Sequence, residues 1–328
     1  MSWNSRRAGW AAIVLAFSVA SFNLQRARSS EDNGPRLGEA RTQEVRIGMV
    51  VTAAGGPCKG IVCTTPVPID WPEQQVKLVA EDITPTVRDL AYRTIAGTVH
   101  QMVVSVPYLA QGEEAKAVVT FEVTRHALLP PESTDGYVRP ERPGKDVRPF
   151  LAPSPAIESR HARIRALAKE LSADKPSAWQ VVEAIYDWVR DHVKYRDGAL
   201  KGAVKALEDG YGDCEELSSL FIAVCRAAGI PARTVWIPGH CYPEFYLEDA
   251  EGTGHWFPCQ AAGDRSFGGM PEFRPILQKG DNFRDPDRPR ERLRYVSEYL
   301  IGAGGRPKVK FIREVGGEAV EEPVAGEN

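Results

Sequence analysis

The side chains best suited to nucleophilic chemistry are six cysteines and six histidines, and one cysteine stands where a thiolate is favoured. It lies in Tyr211–Arg233, YGDCEELSSLFIAVCRAAGIPAR. A Gly212-Asp213 turn delivers Cys214 to the first turn of a predicted helix. Apolar Leu217, Leu220, Phe221, Val224 and Ala228 follow at the spacing of one buried face. Asp213 is the expected N-cap, and Glu216 completes a capping box. Gly229 and Pro231 end the helix. Cys214 therefore sits at the positive end of a helix dipole, which favours the thiolate, the nucleophilic form. On this stretch alone, a nucleophile and a buried thiol that opens a helix fit equally well. Cys225, three turns on, is about 16 Å away along a helix, too far to bridge to Cys214, and reads as a core thiol.

A cysteine nucleophile needs a base, and the base needs an orienting acceptor. His100 and His126 fall among predicted strands, while His161 and His192 fall on solvated helix faces. His240 and His255 remain, on the two arms of a predicted hairpin: runs Cys241–Leu247 and His255–Pro258 flank the polar turn Glu248-Asp249-Ala250-Glu251-Gly252.

The elements that must carry these residues are helical first and extended after. Ile157–Leu171 has Ile164, Leu167, Ala168 and Leu171 on one face. Ser177 caps Ala178–Val193, with its stripe of Val181, Val182, Ile185, Trp188 and Val189. The Cys214 helix and the runs Ala232–Ile237, Cys241–Leu247 and His255–Pro258 come next, an α+β order. Arg292–Leu300 reads as a short helix and Lys308–Val315 as a last strand.

Upstream, short β-branched runs at Val45–Thr52, Gln75–Asp82, Val99–Val106 and Ala115–Arg125 predict a small antiparallel β-sandwich over 45–127. Cys58 and Cys63 there bracket a segment short enough to be closed by a disulfide in an exported protein. A Pro-rich linker over 128–155 separates the sandwich from a core over 156–315. Residues 25–44 read as a flexible leader and 316–328 as a disordered acidic tail.

At 328 residues, two domains fit the length. A net charge of −3 without a basic run argues against nucleic acid as a partner. Residues 1–24 have the pattern of a signal peptide: Arg6 and Arg7, an apolar run from Ala8 to Phe22, and small residues at Ser18-Val19-Ala20. An uncleaved segment would instead anchor the chain to a membrane. Either way the expectation is an exported protein, periplasmic, secreted or anchored facing outward, in a compartment where disulfides form.

Three spaced motifs together carry a resemblance. Gly212-Asp213-Cys214 is followed by Cys225-Arg226-Ala227-Ala228-Gly229-Ile230-Pro231-Ala232-Arg233, then by His240-Cys241-Tyr242-Pro243-Glu244-Phe245. This looks like the core of the transglutaminase-like superfamily over roughly Ile157 to Gly263, whose pattern is G-x-C, R-A-x-G-I-P-A-R, H-x-W-x-E and W-x-x-x-D. The resemblance implies a papain-like cysteine core, helices packed on an antiparallel sheet, with Cys214 as nucleophile and His240 as base. It implies a protein or peptide substrate and no cofactor or metal. Tyr195 is an oxyanion candidate by analogy with an aromatic donor in the family, and the N–H of Cys214 is another. Glu244 reads as structural.

The third catalytic position departs from the pattern, because Trp256 is followed four residues later by Gln260 instead of Asp. An amide oxygen can accept from imidazole Nδ1–H and fix the tautomer, but it brings no full negative charge. Asp264 could substitute only if the strand were displaced. A register that sets His240 opposite Gln260 also sets Cys241 opposite Cys259, which predicts a cross-strand disulfide on the face away from the site. Zinc held by Cys214, His240, Cys241 and Cys259 or His255 is a rival, disfavoured because neighbours on a strand point to opposite faces. The expected function is an amide hydrolase or acyltransferase working through a Cys thioester, with hydrolysis or deamidation favoured over crosslinking. The Gln260 departure keeps a second reading open: a non-catalytic binding or scaffold protein that retains the fold.

Overall fold

The computed structural model describes residues 33–320. The expected signal segment, the first part of the leader (25–32) and the end of the acidic tail (321–328) lie outside the described residues. Two antiparallel sheets begin the fold: β1 Arg36–Thr52, β2 Cys58–Val67, β3 Gln74–Ile83, β4 Asp89–Ile95, β5 Val99–Leu109 and β6 Glu114–Leu129. Val45, Ile47, Met49 and Val51 alternate inward along β1 and meet Ile61, Met102, Val104 and Val106 of the facing sheet, so the predicted sandwich core is present. β1 starts at Arg36, inside the stretch expected to be a flexible leader, because it pairs with β6 from Arg36↔Leu129 onward.

The helical layer follows: α1 Ala162–Ser172, α2 Ala178–His192, then the short β7 Lys194–Tyr195, α3 Ala203–Asp209, β8 Tyr211–Gly212 and α4 Cys214–Ala227. Ser177 caps α2 through Gln180 N–H, as its position predicts. α3 carries no periodic signal long enough to be read from sequence. α4 is buried all round, not on one face: every residue from Glu215 to Arg226 is inside. It lies between the other helices and a sheet formed by β9 Ala232–Ile237, β10 His240–Glu248 and β11 Gly254–Pro258. Its polar side chains are tolerated there because they find partners. Glu215 pairs with Arg294 at 2.8 Å, Ser219 Oγ donates to the Glu215 carbonyl at 2.5 Å, and Arg226 forks onto Asp281 at 2.8 and 2.9 Å.

β12 Gln278–Lys279 pairs with β9 on one side and β5 on the other. One eight-stranded sheet therefore runs from β11 through β10, β9, β12, β5 and β2 to β13 Tyr299–Gly304, with β4 also paired to β5, and the layer that closes the sandwich also floors the helices. β14 Lys308–Val315 is the predicted last strand and returns to β1; β15 Glu318–Ala319 pairs with β14 inside the expected tail. The expected helix over Arg292–Leu300 is absent. That chain is extended because its backbone partners lie across from it: Leu293 exchanges bonds with Phe283, and Val296 N–H donates to Gln278 Oε1. No helix among the described residues is long and apolar enough to cross a membrane.

Candidate active site

Cys214 opens α4 behind a complete capping box: Asp213 Oδ1 accepts from Glu215 N–H at 2.8 Å, and Glu216 Oε2 accepts from Asp213 N–H at 3.2 Å. Gly212 is required at this turn, since a Cβ there would stand 2.3 Å from Glu216 Cβ. β7 runs parallel to β8 and sets Tyr195 beside Gly212, within electrostatic reach of Cys214. The Tyr195 ring is 58% exposed and its hydroxyl donates to Asp197 at 2.9 Å.

His240 begins β10 after Gly239, whose φ of +67° makes the turn. Its Nε2 lies 3.0 Å from Gln260 Oε1. The amide oxygen only accepts, so Nε2 carries the hydrogen and Nδ1 is left for the cysteine. This reverses the expected use of the two ring nitrogens. Gln260 sits beyond the end of β11 and is fixed by its backbone. Its N–H donates to Ser266 O at 2.8 Å, and its carbonyl accepts from Tyr186 Oη at 2.9 Å and Arg190 Nη1 at 2.8 Å, both from α2.

The electrostatics favour an ion pair. The Cys214 thiol is pulled down to about 4, first by a hydrogen bond from Cys241 and then by His240, against the cost of burial. Burial pulls His240 down, but Cys214 and Gln260 outweigh it and its pKa is raised. Cys225, fully buried, is pushed well up, as expected of a core thiol.

The predicted disulfides are not formed: all six cysteines are free. β10 and β11 pair Glu244 with Pro258 and Phe245 with Phe257, a register displaced by two residues from the expected one. Continued, that ladder would set Gln260 opposite Tyr242. Cys259 instead donates its N–H to Pro243 O and its side chain joins the core around Cys225, while Cys241 packs against Trp236, Tyr295 and Cys214. Cys58 and Cys63 stand five residues apart on the single strand β2, about 16 Å at strand rise, so no loop brings them together.

Cys241 thus faces the site, not away from it. Cys259 and His255 lie elsewhere; His255 bonds Asp249 at 2.9 Å. Among the described residues no cluster of three or more His, Cys, Asp or Glu could hold a metal. Asp264 is exposed, and Gln260 occupies the acceptor position. Glu244 is buried between Lys279 at 2.6 Å and Arg233 at 2.8 Å, the structural part expected of it. A cavity of about 380 Å³ beside that network, walled by Trp71, Glu73, Arg233, Trp256 and Lys279, does not include Cys214, His240 or Gln260.

Sequence reasoning missed three features of the site. Cys241 is adjacent to the nucleophile candidate, Tyr186 and Arg190 anchor Gln260, and Arg294 pairs with Glu215 beneath Cys214. A Tyr and an Arg next to the apolar stripe of α2 were the available signal for the second.

Residues 165–261 match the family model of the transglutaminase-like superfamily. Those residues form a transglutaminase-like core. A solved structure of a candidate cysteine protease from Cytophaga hutchinsonii superposes with a TM-score of 0.56 at 17% identity, over 86% of this chain and 92% of that one, which shows the shared fold. The periplasmic domain of TgpA from Pseudomonas aeruginosa is more distant, with a TM-score of 0.33 at 14% identity over 71% of this chain and 93% of that one. No curated protein matches in sequence. Within the transglutaminase-like core, the Cys214 helix, the His240 strand and the Gln260 turn are three separate elements that converge on one edge of the sheet.

Proposed function

We propose that this transglutaminase-like protein is an exported cysteine enzyme acting on protein or peptide amide bonds. The reading is carried by one arrangement: a cysteine at a helix N-terminus beside a histidine whose far nitrogen is held by Gln260 at 3.0 Å. The Cys214 thiolate attacks a carboxamide or peptide carbonyl carbon. The resulting oxyanion takes the Cys214 N–H, one of the helix donors without an intrahelical partner, with Tyr195 as a second candidate. The His240 imidazolium gives its proton to the leaving ammonia or amine as the C–N bond breaks, leaving a thioester and a neutral imidazole. Water then loses a proton to His240 and attacks the thioester, releasing the acid and restoring the thiolate. An amine in place of water would give crosslinking. Hydrolysis or deamidation is the favoured outcome, because Cys214 is only half-buried and water can approach the thioester. Export rests on the N-terminal pattern of paired Arg and apolar run.

The test is the pH dependence of Cys214 alkylation by iodoacetamide, resolved by peptide mass spectrometry with Cys225 as internal control. Ammonia or amine release from glutamine-containing peptides is followed alongside, with Cys214→Ala as control. The expected result is rapid alkylation well below neutrality and release that Cys214→Ala abolishes. Alkylation that rises only near the ordinary thiol pKa, with no release, overturns the reading.

A further inference from the structure

We propose that Cys241 is a positioning residue: its buried thiol, backed by Ser218, presents a hydrogen-bond donor to the sulfur of Cys214. This deepens the nucleophile reading and rests on it. Cys214 and Ser218 are four residues apart on α4 and share one face of the helix. Cys241 lies on β10 against that face, its sulfur 3.8 Å from Ser218 Oγ and its side chain packed on Cys214, Trp236 and Tyr295. Both Cys241 and Ser218 are buried, so neither exchanges its bond with water.

In the structure the thiol donates to the neutral hydroxyl of Ser218, and the Cys214 side chain packs against the same cluster as a second, ionisable acceptor. When Cys214 is ionised, the charged acceptor wins, because charge-assisted hydrogen bonds are about twice as strong as neutral ones. The Ser218 hydroxyl can then turn and donate to Cys241, which completes a short relay from helix to strand to nucleophile. Burial supports the assignment by pushing the Cys241 thiol well up, so it stays a donor wherever Cys214 is a thiolate. The other groups that face Cys214 are His240, Asp213, Glu215 with its partner Arg294, and Tyr195. All of them remain in the variants below. A cysteine that only filled space would be replaced by alanine without electrostatic consequence.

The experiment measures the apparent pKa of Cys214 in the full chain from the pH dependence of iodoacetamide labelling, in wild type, Cys241→Ala, Cys241→Ser and Ser218→Ala. Cys241→Ala is expected to raise it by about one unit, leaving about tenfold less thiolate at a pH well below both values and about threefold less midway between them. Cys241→Ser, which keeps a donor, restores most of the effect, and Ser218→Ala gives a smaller rise. If Cys241→Ala does not fold, the contrast between Cys241→Ser and Ser218→Ala decides. A low wild-type pKa that neither Cys241→Ala nor Ser218→Ala moves overturns this role and leaves the nucleophile reading standing. An ordinary thiol pKa in the wild type overturns both.

Discussion

Gln260→Glu is the perturbation that most directly tests the His240 environment. Glu is isosteric with Gln, so its carboxylate would occupy the position now 3.0 Å from His240 Nε2. Asp, the residue usual at this position, is one methylene shorter and would fall short of the ring without a strand shift. At an effective dielectric of 20, unit charges about 4 Å apart attract by roughly 4 kcal/mol. Desolvation of the new carboxylate and the hydrogen bond already made by the amide reduce that to about 1.4–2.7 kcal/mol, which is about one to two pKa units. The sign follows from the charge. A carboxylate favours the imidazolium, so the raised pKa of His240 rises further and the thiolate–imidazolium pair survives to higher pH. The alkaline limb of the amide-release profile, where the imidazolium must donate its proton, should move up by that amount. The acid limb, set by Cys214 near 4, should move little. Gln260→Ala should move the alkaline limb down and slow acylation about tenfold or more, by loss of a hydrogen bond to a charged group. The fold should tolerate both changes, because Tyr186 and Arg190 hold the backbone of residue 260, not its side chain. An alkaline limb that stays in place in Gln260→Glu would falsify the claim that this contact tunes His240.

Tyr186→Phe removes a donor to Gln260 O and an acceptor for Ser266 N–H, at 2.9 and 3.0 Å. It should cost about 1–3 kcal/mol in urea unfolding and also slow Cys214 alkylation, since both partners hold the Gln260 turn. Lys279→Met leaves the buried Glu73 and Glu244 without their shared cation, now 2.7 and 2.6 Å away, and should destabilise by about 3–5 kcal/mol at neutral pH. Burial raises Glu244, but Lys279 and Arg233 together hold it below the ordinary carboxylate range. Its contribution is therefore present above the unfolded carboxylate pKa and lost as pH falls through the folded one, so the gap between wild type and Lys279→Met should narrow in acid. Thiol titration in denaturant should count six free thiols with or without prior reduction. Two thiols that appear only after reduction and map to Cys241 and Cys259 would contradict the observed register of β10 and β11.

The sequence by itself determined the parts of this protein that depend on neighbours along the chain. The Asp213–Glu216 box, the start of α4 at Cys214, the Ser177 cap and the three runs that became β9, β10 and β11 are set by residues within a few positions of one another. The acceptor, Gln260, was implied by the resemblance to the transglutaminase-like pattern, four residues after Trp256. The β-branched runs Val45–Thr52 and Ala115–Arg125 also marked parts of the strands that became β1 and β6. What it could not supply is how far one strand slides along another. Alternation fixes which residues share a face, but a two-residue displacement preserves that alternation, so the pattern alone cannot tell the expected pairing from Glu244 opposite Pro258. That displacement is decided by packing of β10 between β9 and β11 and of α4 above them. Cys259 goes to the core and Cys241 to the nucleophile as a result. The same holds for the eight-stranded sheet: among the described residues the two-residue strand β12, too short to carry a pattern, continues the sandwich sheet into the layer beneath Cys214.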